Sequence, residues 1–134
     1  MNELKIFTVS EANQLLPVLT NLISELHKKR DLATQTEVRI DSLELIAGSD
    51  EASKKELEHL LDAYRRLVSE FYAVVDQIHE LGCFLKDVDL GLIDFYGLVS
   101  GQVVHLCWKL GESEISYWHE TGQGYSSRQP LIPD

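Results

Sequence analysis

Cysteine, methionine and tryptophan are scarce in this 134-residue chain: two, one and two residues, with only three prolines. Two cysteines, Cys83 and Cys107, do not make a disulfide framework, although one bridge stays open on sequence grounds. A reduced, cytoplasmic protein is the simpler expectation. Basic residues are also few, 12 against 22 acidic ones, for a formal net charge of −10. The deficit is general: residues 1–48 hold 5 basic and 7 acidic groups, 49–82 hold 4 and 8, and 83–134 hold 3 and 7. No segment is a basic patch, which argues against nucleic acid and against an anionic membrane surface as partners. No window approaches the length of a membrane-spanning apolar run. The N-terminus lacks the basic and apolar regions of a secretory signal.

What is present suits one domain over 1–134. Apolar residues make up 44% of the chain, an ordinary globular share. The pattern predicts an α+β fold: a long antiparallel helical hairpin over 8–81, then a small antiparallel sheet of three to five strands over 83–120. Residues 121–134 read as a C-terminal loop or tail.

Residues 4–7 suit a short strand. Thr8 and Glu11 then fit a capping box, with Ser10 as a rival cap. Leu15, Leu19, Leu22, Leu26, Ala33, Ile40 and Leu43 follow at helical spacing. Pro17 lies inside this run and should kink the helix or mark the start of its long part. Lys29 and Thr36 interrupt the seam with polar groups. Gly48, Ser49 and Asp50 form a stop and a new cap. The second helix carries the clearest stripe, Leu57, Leu60, Leu61, Tyr64, Leu67, Val68, Phe71, Val74, Val75, Ile78 and Leu81. Gly82 ends it. At 1.5 Å per residue the helices are each about 45–55 Å long. A short link makes them antiparallel. One hairpin cannot cover both stripes, so a partner hairpin or the sheet must bury the remainder.

From Cys83 the period changes to two. Strands are expected over Cys83–Val88, Leu92–Leu98, Gln102–Leu110 and Ile115–Glu120. A two-residue turn at Ser100-Gly101 sets Phe95 opposite Leu106 and Asp94 opposite Cys107. A second turn centred on Glu112-Ser113 sets Leu110 opposite Ile115, Cys107 opposite Trp118 and Leu106 opposite His119. Alternation then gives a core face of Ile93, Phe95, Val104, Leu106, Trp108, Leu110, Ile115 and Tyr117, with His119 at its end. The other face carries Asp94, Tyr96, His105, Cys107, Lys109, Ser116, Trp118 and Glu120. This second face is either the polar outside of a half-buried sheet or a small ligand or metal site. Cys107 alone is more often a small buried hydrophobe than a nucleophile.

Other motifs are weaker. Glu56 with His59, and Asp76 with His79, have carboxylate-x-x-His spacing, but they lie about 30 Å apart on one helix. Asp87, Asp89 and Asp94 lack the spacing of a calcium loop. Gly122 to Arg128 could cradle an anion through backbone amides and the guanidinium, or could be a tail docked on the sheet edge.

Two sets of motifs carry a family resemblance. The first is Phe7-Thr-Val-Ser-Glu-Ala-Asn-Gln-Leu-Leu-Pro17. The second comprises Lys86-Asp87, Gly91-Leu-Ile-Asp-Phe95, Leu106-Cys-Trp-Lys-Leu-Gly-Glu112, Trp118-His119 and Arg128-Gln-Pro130. With them the chain resembles a bacterial and archaeal family catalogued as domain of unknown function 2203, over nearly its whole length. The family often has an acidic-Gly turn where Ser100-Gly101 stands, and an aliphatic residue where His105 stands. The resemblance favours Asp94, Cys107, Trp108, Glu112, Trp118, His119 and Arg128, makes Pro17 architectural, and implies no activity.

Two functions therefore stand as expectations. One is a non-enzymatic interaction or oligomerisation module, a homodimer formed through the helical hairpin. The other is a protein that binds a divalent metal or a small ligand, with or without enzymatic activity. Its metal candidates are Asp94, Cys107 and His119, and its ligand-binding candidates are Glu112, Trp118 and Arg128. On the expected register His119 faces away from Asp94 and Cys107, so this second function needs a bulge near Trp118 or a different register.

Overall fold

A computed structural model describes residues 4–46 and 50–131. Gly48 and Ser49, expected to stop one helix and cap the next, lie outside the described residues. The elements are α1 (Val9–Ile46), α2 (Glu51–Glu80), β1 (Phe84–Asp87), β2 (Leu92–Val99), β3 (Gln102–Lys109), β4 (Tyr117–His119), a 3₁₀ turn (Tyr125–Ser127) and β5 (Gln129–Pro130). The α+β class, the helical hairpin and the antiparallel sheet stand as expected. The described chain forms two compact units: residues up to Ile23 with those from Asp76 onward, and Ser24–Val75.

α1 starts where its capping chemistry dictates. The Thr8 hydroxyl accepts from Glu11 N–H at 3.0 Å, and the Glu11 carboxylate accepts from Thr8 N–H at 2.8 Å. Such a cap is worth about 1 kcal/mol. Hydrogen bonding of the carboxylate to Thr8, the backbone N–H first and the side chain second, holds the Glu11 carboxyl below its ordinary range. Because the helix begins at Val9, Pro17 does not mark its start but lies within it. The strand expected over 4–7 reduces to one parallel bridge between Ile6 and Tyr96, since the chain enters the helix at once. Phe7 N–H donates to Tyr96 O at 2.7 Å, and the Phe7 ring meets Phe95 edge-on at 5.1 Å.

In the first unit, Ala12, Leu16, Leu19 and Ile23 are buried with Ile93, Phe95, Val104, Leu106 and Trp108. Of the expected α1 stripe, Leu19, Leu26 and Ile40 are buried, whereas Leu15 and Leu22 are only half-buried and Ala12, Leu16 and Ile23 are buried beside them. Gly97 leaves room for the Leu106 side chain: a Cβ there would stand 2.7 Å from Leu106 Cγ.

In the second unit the two helices run antiparallel. As α1 advances from Lys29 through Glu37 to Arg39, its partners on α2 step back from Glu70 through Tyr64 to Glu56. Thr36, a polar interruption of the α1 seam, is half-buried and donates its hydroxyl to Leu32 O at 2.7 Å. On α2 the stripe from Leu57 to Phe71 is half-buried throughout.

The sheet is a five-stranded antiparallel meander in the order β1-β2-β3-β4-β5. β2 and β3 pair as expected, with Val99 opposite Gln102, Phe95 opposite Leu106 and Asp94 opposite Cys107. Ser100 and Gly101 have φ of 51° and 78°, as a tight hairpin turn requires. β4 differs. Leu106 faces Trp118, Cys107 faces Tyr117 and His105 faces His119, one residue away from the expected register. The cause is local. Glu112 N–H closes a turn onto Lys109 O at 3.0 Å, and Ile115 N–H is captured by Asn13 Oδ1 of α1 at 2.7 Å. Residues 113–116 therefore stay out of the ladder, and β4 begins at Tyr117. The slip moves every β4 side chain to the other face. The segment expected as loop also supplies β5, which pairs with β4.

Candidate metal centre

The corrected register assembles the site. Asp94 on β2, Cys107 on β3 and His119 on β4 now point to the same side of three adjacent strands. Tyr117 joins them, whereas Trp118 turns to the face of Leu106. The expected conflict, with His119 facing away, is removed by the one-residue slip and needs no bulge.

One ligand atom from each of Asp94, Cys107 and His119 lies within 4.8 Å of the other two. All three residues are buried, at 3%, 1% and 1% exposure. His119 Nε2 stands 3.1 Å from Asp94 Oδ2, and its Nδ1 stands 2.9 Å from Glu120 O. A backbone carbonyl only accepts, so Nδ1 carries a hydrogen. A neutral ring then presents the lone pair of Nε2 to a carboxylate oxygen, acceptor against acceptor. Only a proton or a cation between them makes that 3.1 Å contact favourable. Donation of the far ring nitrogen to a carbonyl is also the arrangement that orients metal-ligating histidines.

Burial first, and the Asp94 carboxylate second, push the Cys107 thiol up to about 12, against the opposing pull of Arg128. Without a metal this thiol is a poor nucleophile. Both cysteines are free thiols.

His105 lies beside the cluster. Its Nδ1 is 3.3 Å from Asp94 Oδ2, too misaligned for a hydrogen bond, and both its ring nitrogens are buried without one. Burial is the main cause holding its pKa below the ordinary histidine value, with the Asp94 carboxylate opposing. A ladder of edge-on rings crosses the sheet here, from Phe84 to Tyr96, to His105 and to His119, at 5.4, 4.8 and 5.1 Å between centroids.

Glu112 and Arg128 satisfy each other. Arg128 donates from both terminal nitrogens to the two Glu112 oxygens, at 3.0 and 2.9 Å. Lys109 N–H adds a third hydrogen bond to Glu112 at 2.8 Å. The guanidinium stacks on Tyr117 and Tyr125 at 4.1 and 4.4 Å. The anion taken up by the Gly122–Arg128 segment is thus a carboxylate of the same chain. The remaining motifs have structural partners: Asp87 accepts from Leu90 N–H at 2.9 Å, Glu56 pairs with Arg39, and His79 packs against Phe84.

The signal for His119 is the family motif Trp118-His119, since the expected register alone turns it away. The pairing of Glu112 with Arg128 and the approach of His105 had no sequence signal, because both depend on how β4 and the tail fold back.

A family model described as an uncharacterized conserved protein (DUF2203) matches residues 5–131. None of the curated proteins and none of the solved structures compared with the chain matches it.

Proposed function

The chain belongs to the DUF2203 family, and we propose that it binds a divalent transition-metal ion through Asp94, Cys107 and His119. The observation that carries this reading is the 3.1 Å approach of His119 Nε2 to Asp94 Oδ2, with Nδ1 already bonded to a carbonyl. Carboxylate, thiolate and imidazole together suit a borderline-soft ion such as zinc. Binding would displace the thiol proton and neutralise the buried carboxylate. The two free thiols fit a reducing, cytoplasmic setting. Among the described residues no helix is long and apolar enough to cross a membrane.

Elemental analysis of protein purified without a histidine tag tests the proposal. We expect about one equivalent of metal, lost in Cys107→Ser, and a fall in melting temperature with chelator. Absence of metal, no uptake of added zinc and chelator-independent melting would overturn it.

The helical hairpin supports a second reading, self-association into a homodimer. Leu57, Leu60, Leu61, Tyr64, Leu67, Val68 and Phe71 are each only half-buried along one stripe of α2. Leu32, Val38 and Tyr72 are more than half exposed or nearly so, at 50%, 59% and 61%. A second hairpin packed on this stripe would bury it as in a four-helix bundle. Sedimentation equilibrium should show a dimer, and a stable monomer at tens of micromolar would contradict it.

A further inference from the structure

We propose that His105 is the fourth protein ligand of this metal ion, which makes the centre a closed one that fixes the sheet rather than an open one that handles substrate. The proposal rests on the metal-binding reading above. It starts from an anomaly. His105 is 8% exposed, and both its ring nitrogens are buried without a hydrogen bond. Buried polar groups nearly always have partners, so an orphan imidazole beside three possible ligands calls for one.

Geometry supplies it. His105 Nδ1 and His119 Nε2 approach the same oxygen, Asp94 Oδ2, at 3.3 and 3.1 Å. Ligands held at 2.0–2.1 Å around a tetrahedral ion stand about 3.3 Å apart. Each nitrogen therefore stands from that oxygen at the spacing of neighbours in one such shell. Cys107, two residues along β3 from His105, adds the sulfur, and its ligand atom is within 4.8 Å of those of Asp94 and His119. His105 joins the three through Asp94, and its ring meets Tyr96 and His119 edge-on.

The consequence is a donor set of one carboxylate, one thiolate and two imidazoles from three adjacent strands. Four protein ligands leave no position for water or substrate, which is the pattern of structural zinc. Such a centre ties β2, β3 and β4 together and links folding of the sheet to the ion.

Cobalt(II) substitution in the full chain tests this. Wild-type protein should show intense visible bands of four-coordinate cobalt and a near-ultraviolet thiolate charge-transfer band. His105→Phe, which keeps the ring contacts, should weaken the visible bands as water enters and reduce affinity about tenfold or more. His105→Cys should retain the four-coordinate bands and roughly double the charge-transfer intensity, one thiolate becoming two. An unchanged spectrum and affinity in His105→Phe would overturn the fourth ligand alone. If that variant does not fold, single-thiolate intensity in His105→Cys decides against it in the same way. No cobalt binding by the wild type would overturn the metal reading itself.

Discussion

Asp94 and His119 meet at 3.1 Å across β3, the strand that separates them. Both side chains are almost wholly buried, 4% and 1% exposed. Breaking a buried polar pair by removing one partner leaves the other desolvated and uncompensated. Asp94→Ala should therefore cost about 3–5 kcal/mol of stability, read from urea unfolding. A loss below about 1 kcal/mol would mean that the contact carries little energy.

Arg128 ties the tail to the turn after β3. Its two parallel hydrogen bonds to Glu112 match the planar guanidinium, and so do the faces of Tyr117 and Tyr125. Lysine reproduces the charge but neither the fork nor the stacking. Both side chains are mostly buried, at 13% and 24% exposure. Arg128→Lys should destabilise by about 1–2 kcal/mol. It should also speed proteolysis within residues 121–131. Unchanged unfolding and cleavage would contradict the strap.

Gly97 is needed for space, since its φ is not in the left-handed region. A methyl group there meets Leu106 Cγ at 2.7 Å and Cδ1 at 2.8 Å. Gly97→Ala should cost about 1–3 kcal/mol by overpacking. Combining it with Leu106→Val should recover part of that loss, a non-additivity that a double-mutant cycle measures.

Cys83 is fully buried, and burial pushes its thiol from 9.0 up to about 12. The folded state therefore keeps this proton at pH values where the unfolded chain releases it. Its contribution to stability is complete below about pH 9 and is lost as pH rises towards 12. Cys83→Ala should flatten the alkaline limb of a stability–pH profile. In the folded protein Cys83 should resist alkylation at pH 8 and react on unfolding. Rapid labelling of native protein would contradict this.

How much of this was legible in the sequence differs between the two hairpins. Ser100-Gly101 announces its turn, so the β2–β3 register and the meeting of Asp94 with Cys107 follow from local rules. The next turn has no such signal. Asn13, 102 positions earlier, captures Ile115 N–H and shifts β4 by one residue. That long-range bond decides which face receives His119 and Trp118. His105 was legible only as one polar residue on a face. Its orphaned nitrogens appear when β4 brings His119 opposite it. The half-buried stripe of α2 was legible as an excess of apolar surface, because its breadth exceeds what one neighbouring helix covers.

Metal binding is tested most directly by anomalous diffraction at the zinc edge from crystals of the zinc-loaded protein. The metal-binding reading predicts a single strong peak about 2.0–2.3 Å from Asp94, Cys107 and His119 together. Density showing those side chains with no peak among them, and His119 still bonded directly to Asp94, would contradict it.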